Sequence, residues 1–137
     1  MSYDLAVWLP SRQMSNKEAG KLYGDLCDSN VAAAQKLLIA DARLEAFYRE
    51  LTAKHPEIDD VPADRLDDHD FCPWSVAFDR SDRHIIMCCV WERAEYVHDF
   101  VSQLAAKHNL VAFDPQSGAQ LGSAPPGGGR RQWWRFW

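Results

Sequence analysis

The segment HIIMCCVW, residues 84–91, is apolar at both sets of alternating positions. Successive side chains of a strand point to opposite faces of a sheet, so this pattern is typical of a central strand covered on both faces, or of a strand with one face reserved for a partner. The run YDLAVWL at residues 3–9 is also mostly apolar and rich in strand formers, and Pro10 ends it. These two segments predict the central strands of one sheet.

Helical spacing occurs between these two strands. Ser15 and Glu18 have the spacing of a capping box, and apolar residues follow at helical intervals up to residue 26. A second apolar stripe runs from Leu37 to Leu51 and ends before Pro56. The sequence therefore predicts a pair of helices after the first strand.

Shorter patterns complete the order of elements. Residues 74–78 predict a strand, residues 79–83 a hairpin turn, residues 91–108 a third helix that Asn109 can end, and residues 110–113 a last strand. The order strand, helix pair, strand, strand, helix, strand predicts an α+β, ferredoxin-like split βαβ fold, with helices on one face of a four-stranded antiparallel sheet. Its first and third strands are central, and here they are the two most apolar strands.

The composition changes after residue 116. We predict a single α+β domain at residues 1–116, a Gly/Pro/Ser-rich linker at 117–129, and an Arg/Trp-rich tail, RRQWWRFW, at 130–137. The tail suits several roles: folding back on the body, a dimer contact, pairing of its arginines with an acidic loop, disorder, or contact with nucleic acid or membrane.

One segment holds most of the negative charge. EIDDVPADRLDDHD, residues 57–70, contains seven carboxylates and one arginine, a net charge of −6, whereas the rest of the chain has fourteen basic and thirteen acidic side chains. Acidic proteins bind nucleic acid poorly, because affinity for phosphates comes from Lys and Arg. A basic protein partner is instead attracted to such a segment. Plain solvation and a bound metal are the alternatives.

The segment matches a metal site poorly. Calcium loops need a glycine for their sharp turn, and residues 57–70 contain none. A site formed by Asp67, Asp68, His69 and Asp70 remains an alternative to a partner surface. Cys72 lies close to His69 in sequence, but such proximity is common by chance, and no catalytic motif accompanies it. We predict no metal, no cofactor and no catalytic activity.

The four cysteines include no CxxC pair, and apolar surroundings predict buried, reduced thiols. The first residues lack the pattern of a signal peptide, and no apolar run has transmembrane length. A cytoplasmic protein with no membrane contact is therefore expected.

Three parts of the chain together resemble a known group of proteins. They are YDLAVW at residues 3–8, Pro73-Trp74-Ser75, and the stretch from Leu104-Ala105 through His108 to LVAFDPQ at 110–116. These segments resemble a family of small bacterial cytoplasmic proteins of similar length. Such proteins look like those found beside polymorphic or contact-dependent toxins, where an immunity protein neutralises its cognate toxin. The resemblance covers residues 3–116 and implies no catalytic residues.

The leading prediction is a non-catalytic binding protein, an immunity-type inhibitor that neutralises a cognate toxin through an acidic surface. Its partner is a basic protein, without direct contact to nucleic acid. The alternatives are a small ferredoxin-like enzyme or ligand-binding domain with a site between sheet and helices, and a structural homodimer. The predicted partner-binding residues are Glu57, Asp59, Asp60, Asp64, Asp67, Asp68 and Asp70, with Trp74 as a nearby anchor.

Overall fold

The computed structural model describes residues 2–28 and 30–122. Their elements are, in chain order, β1 (Ser2–Trp8), α1 (Asn16–Cys27), α2 (Val31–Gln35), α3 (Ala42–Lys54), β2 (Asp79–Arg80), β3 (His84–Val90), α4 (Ala94–Lys107), β4 (Val111–Asp114) and β5 (Ala119–Gly122). Short 3₁₀ turns occur at Ile58–Asp60, Ala63–Arg65 and Trp91–Arg93. The predicted α+β class with an antiparallel sheet is confirmed. Within this part of the chain, no helix is both long enough and apolar enough to cross a membrane.

The sheet has five strands in the order β2-β3-β1-β4-β5, and every pairing is antiparallel. The central pair joins β1 to β3 over its whole length, from Ser2 opposite Val90 to Trp8 opposite His84. On its other side β1 pairs with β4. The prediction that residues 3–9 and 84–91 form neighbouring central strands is therefore confirmed.

Helices cover both faces of the sheet, and the prediction of helices on one face is wrong. Leu5 and Val7 of β1 pack in one hydrophobic cluster with α3 and α4, which contribute Phe47 and Val101 among others. Trp8 points to the other face and packs in a second cluster with α1 and α2. The physical reason is that β1 is apolar at both sets of alternating positions, so each face needs its own cover.

The segment predicted to be a strand, residues 74–78, forms only an isolated bridge between Trp74 and Cys89, and the paired strand is β2. The backbone N–H of Phe78 is not available to β3, because it donates to the Glu57 carboxylate at 2.9 Å. A side chain 21 residues earlier in the chain thus displaces the start of the strand.

The predicted four-stranded sheet is also wrong, because β5 adds a fifth strand inside the segment predicted to be a linker. Asp114 prepares the β4–β5 turn: its Oδ1 accepts from the Gln116 N–H at 2.9 Å, and its carbonyl accepts from the Gly118 N–H at 2.8 Å. Gly118 has a φ of +73°, which glycine adopts without strain. Leu121 is then buried in the core. Residues 123–129 and the tail at 130–137 lie outside the described residues.

Two helix ends form where the sequence predicts them. Ser15 and Glu18 form the predicted capping box at the start of α1. Asn109 follows α4 with a φ of 57°, the left-handed conformation that asparagine tolerates. The predicted stripe from Leu37 to Leu51 is helical only from Ala42, since Leu38 pairs with Pro10 in an isolated bridge before α3 begins.

Candidate partner-binding surface

The acidic segment, residues 57–70, follows α3 and makes two short 3₁₀ turns before the chain reaches the sheet. Val61 is buried and Ile58 packs against the main core, so the first turn is fixed to the body by apolar contacts. The Pro62 carbonyl then accepts from the Arg65 N–H at 2.8 Å in the second turn. The segment is therefore held at its start, and its charged side chains lie along its length.

Glu57 differs from the other carboxylates because its partners lie within the chain. Its Oε2 accepts from the Tyr48 hydroxyl and its Oε1 accepts from the Phe78 N–H. Burial and, to a smaller extent, the Glu57 carboxylate raise the pKa of Tyr48. Glu57 thus joins α3 to the approach to β2, and both of its oxygens already have partners within the chain, so its role as a partner-binding residue stays a prediction.

Four carboxylates of the segment are exposed, and they have no hydrogen bond or ion pair within residues 2–28 and 30–122. They are Asp59, Asp60, Asp64 and Asp67. Like charges gathered in this way repel each other and add nothing evident to the packing of the body. They produce a negative potential that is available to a partner.

The last two acidic residues are exposed but paired. Arg65 lies 3.0 Å from Asp68, and its hydrogen bond is the main reason that the pKa of Asp68 is lowered. Asp70 lies 3.4 Å from the guanidinium of Arg93, just before α4. Exposed pairs of this kind are weak, so a basic partner can compete for both carboxylates.

Trp74 was predicted to be a partner anchor, and the structure shows that this is wrong. Its side chain is 2% exposed, and its indole N–H donates to the His55 carbonyl at 2.9 Å. Phe78 packs edge-on against it, with ring centroids 4.8 Å apart. Trp74 is a core residue that joins the chain after the acidic segment to the end of α3.

Trp91 is the aromatic residue that sequence reasoning missed. It is 51% exposed and packs edge-on against Tyr3. Its chain neighbour Arg93 forms an ion pair with Asp70 at 3.4 Å, and the carboxylate of Glu92 lies 3.4 Å from the His69 ring, so Trp91 lies beside the end of the acidic segment. In the sequence it reads as the first apolar residue of the third helix, and no local signal marks it as exposed. We refer to these exposed residues together as the acidic surface: Asp59, Asp60, Asp64, Asp67, Asp68, Asp70 and Trp91.

The alternative metal site at residues 67–70 is not assembled. Asp68, His69 and Asp70 face three different partners, Arg65, Glu92 and Arg93. Among the described residues, no group of three or more His, Cys, Asp or Glu side chains is close enough to hold one metal ion.

The thiol closest to the acidic segment is not prepared for nucleophilic chemistry. Cys72 is buried, and burial raises its pKa, which disfavours the reactive thiolate. Cys89 is buried as well, and burial raises its pKa to about 12. The four cysteines are all free thiols, but Cys27 is exposed and Cys88 half-buried, so the prediction of buried thiols is correct for two of them.

A hydrogen-bonded series at the β2–β3 turn has the residue types of a catalytic triad. Ser81 Oγ and the Gln35 amide nitrogen lie 2.9 Å and 3.1 Å from His84 Nδ1, and His84 Nε2 lies 3.4 Å from the Asp79 carboxylate. Because a carboxylate only accepts, Nε2 carries the proton, and in the neutral ring Nδ1 accepts. The Ser81 oxygen also accepts from the Arg83 N–H at 3.0 Å and from the Gln35 amide at 3.1 Å. Both of its lone pairs are therefore occupied, and an attack by Ser81 would have to break one of these bonds. The arrangement stabilises the turn.

A cleft of about 310 Å³ lies between the start of α3 and the β2–β3 turn. Leu44 and Ile85 form part of its apolar lining. The Arg80 guanidinium lies 3.7 Å from the centre of the Tyr48 ring and 3.8 Å from the Glu45 carboxylate. Arg80 therefore already contacts Tyr48 and Glu45, and the cleft combines an apolar lining with one basic and one acidic side chain.

Comparison of the chain with protein-family models, with curated proteins and with solved structures gave no match.

Proposed function

We propose that this protein is a non-catalytic binding protein that engages a basic protein partner through the acidic surface. The observation that carries the proposal is the exposure of Asp59, Asp60, Asp64 and Asp67 without partners in the described part of the chain. Exposed charges add little to the stability of their own protein, but they attract an oppositely charged protein and speed its association. Trp91 supplies an exposed aromatic side chain of the type that anchors interfaces.

We further propose an immunity-type inhibitor that neutralises a cognate bacterial toxin in the cytoplasm. The resemblance of YDLAVW, Pro73-Trp74-Ser75 and LVAFDPQ to the family described above supports this role. A toxin that cleaves nucleic acid needs a basic surface for the phosphate backbone. An acidic inhibitor that covers this surface binds the toxin and blocks its substrate at the same time.

We also propose that the body is a ferredoxin-like split βαβ unit to which β5 has been added. The order β4-β1-β3-β2 within the five-stranded sheet supports this arrangement, as do the antiparallel pairings of β1 with its two neighbours. The acidic segment then lies in the connection that leads from the helices after β1 to β2.

The experiment that tests the binding proposal uses the purified chain and a candidate basic partner, such as a toxin domain encoded by a neighbouring gene. The double variant Asp64→Asn, Asp67→Asn removes two of the unpaired charges. We expect its association rate constant to fall by about tenfold at low salt, and its salt dependence to become shallower, because electrostatic steering is weakened. Surface plasmon resonance over a series of salt concentrations measures both quantities.

A matched control separates local recognition from the effect of net charge. The double variant Asp28→Asn, Asp82→Asn makes the same change of charge at exposed positions after α1 and in the β2–β3 turn. We expect it to associate at nearly the rate of the unmodified protein. Equal loss in both variants, or no loss in either, would show that the acidic surface is not the contact.

A second candidate function is ligand binding in the cleft at the start of α3. Arg80, Tyr48 and Glu45 converge there above an apolar lining, as in many ligand sites. A fragment screen by nuclear magnetic resonance tests this function, and a ligand that shifts the methyl resonances of Leu44 and Ile85 would favour it.

A homodimer is the third candidate. The α1 side of β3 leaves Ile86, Cys88 and Val90 partly exposed, which a second copy of the chain could cover. Light scattering on the purified chain tests this, and a mass of about 31 kDa, twice the 15.6 kDa of one chain, would favour it.

A further inference from the structure

His55 is a buried histidine at the C-terminal end of α3, with a side chain that bonds through both ring nitrogens. The ring lies 2.9 Å from the Phe71 carbonyl through Nδ1 and 2.8 Å from the Tyr96 hydroxyl through Nε2. A carbonyl oxygen only accepts, so Nδ1 carries the proton and donates. In the neutral ring Nε2 then accepts from Tyr96.

These bonds close the acidic segment into a loop. His55 precedes the segment by two residues and Phe71 follows it directly, so the bond from Nδ1 joins the two ends. Trp74 adds a second link, because its indole N–H donates to the His55 carbonyl. The mutual repulsion of the carboxylates between these ends favours separation of the loop from the body, and the bonds of His55 oppose it.

The surroundings of the ring disfavour a positive charge. His55 is 3% exposed, and the rings of Trp74, Tyr96 and Phe100 pack edge-on around its imidazole. Burial lowers the pKa of His55, the Phe71 carbonyl opposes this in part, and the cations Lys54 and Arg93 lower the pKa further.

The charged groups that face His55 come from two helices and the segment itself. Lys54 belongs to α3 and lies over the Phe100 ring, and Arg93 precedes α4 and lies over the Tyr96 ring. Asp70, at the end of the segment, pairs with Arg93 rather than with His55. No carboxylate among the described residues bonds to the His55 ring.

We propose that His55 is a pH-sensitive latch, which holds the acidic segment closed when neutral and releases it when protonated. When Nε2 is protonated it can only donate, so the Tyr96 hydroxyl, which donates to the neutral ring, would have to accept instead. The resulting cation would lie in an apolar site beside two other cations. Opening the segment places the imidazolium in water, so protonation and opening are coupled.

The direction of the effect follows from the lowered pKa in the closed state. In the open state the His55 ring has the ordinary histidine pKa of about 6.5, so at mildly acidic pH it is protonated more often than in the closed state. The closed state is therefore favoured fully above about pH 6.5, and it loses stability as the pH falls from there towards the lowered pKa. Carboxylates titrate near pH 4, below this window.

The experiment measures hydrogen exchange of the whole chain alone at about pH 7.5 and about pH 5.5, corrected for intrinsic exchange. We expect opening of residues 57–71 to increase by up to about tenfold at the lower pH, the limit set by one unit below the open-state pKa. In His55→Asn, whose side-chain amide can still donate towards Phe71, this increase should disappear. His69→Asn changes a histidine within the same segment and should retain it.

An increase that persists in His55→Asn, or no increase in the unmodified protein, would overturn the latch. If His55→Asn does not fold, the ring resonances of the unmodified protein decide instead. They must titrate below about pH 6.5, and opening must increase between about pH 6.5 and that titration and level off below it. A ring that titrates at or above about pH 6.5, or opening that increases only below the ring titration, overturns the proposal. A regulatory role for the latch rests on the proposed function. The opening itself is measured without a partner, so either proposal can fail while the other stands.

Discussion

The β1–β3 pair and the acidic segment use their side chains in opposite ways. Along residues 2–8 and 84–90 the strands pair at every position, and most of their side chains are buried on one face or the other. Along residues 57–70 only Val61 is buried, and most of the carboxylates face water. The strand pair holds the fold together, whereas four of the seven carboxylates of the segment have no hydrogen bond or ion pair within the described chain. This difference is the reason for placing recognition in the segment.

The largest effect is expected in the strand pair. Trp8 is fully buried, stacked on Phe113 at 5.8 Å, so Trp8→Ala should lower the free energy of unfolding by about 3–5 kcal/mol through lost contacts and a cavity. Denaturant unfolding followed by circular dichroism measures the loss. A loss below about 1 kcal/mol would mean that this face of the sheet is not a packed core.

A conservative replacement at the same position provides the control. Within the described residues, the buried indole N–H of Trp8 has no hydrogen-bond partner. Trp8→Phe removes this unsatisfied donor, which offsets part of the cost of the smaller ring. It should therefore be clearly more stable than Trp8→Ala.

An effect of intermediate size is expected within the acidic segment, where Glu57 supports the fold and Asp59 does not. Glu57→Ala removes the acceptor for Tyr48 and for the Phe78 N–H, so we expect a loss of about 1–3 kcal/mol in the free energy of unfolding. Asp59→Ala, two residues later, should change it by less than about 0.5 kcal/mol, because Asp59 is exposed. The same denaturation measurement compares the two variants, and equal losses would contradict the division.

The sequence predicted the central strands well because their signal is local. Two apolar alternating sets in residues 84–90 can be seen without knowing the rest of the fold. The same pattern in β1 requires cover on both faces, so the two-sided placement of helices was available in the sequence, although the prediction put them on one face. The strand β5 was not predicted because it contains a single large apolar residue, Leu121, within a segment of linker-like composition.

The site was harder to predict because burial depends on distant contacts. Glu57 and Asp59 look alike in the sequence, and they differ because Glu57 meets Phe78, 21 residues away. In the sequence, Trp74 begins one segment predicted to be a strand and Trp91 ends another. One is buried against His55 and Phe78, and the other lies half-exposed at the start of α4. Only the tertiary arrangement distinguishes the two tryptophans.

The smallest effect concerns the unpaired charges. In the fourfold variant Asp59→Asn, Asp60→Asn, Asp64→Asn, Asp67→Asn, we expect the free energy of unfolding to change by no more than about 0.5 kcal/mol per site. These side chains are exposed and make no hydrogen bond or ion pair within the described chain. The change should be an increase at about 0.02 M salt, since mutual repulsion is removed, and it should shrink at about 0.5 M salt, where charges are screened. Denaturant unfolding at the two salt concentrations measures it. A large loss that is independent of salt would show that these carboxylates support the fold. In a variant that is as stable as the unmodified protein, any loss of partner binding can be assigned to the missing charges.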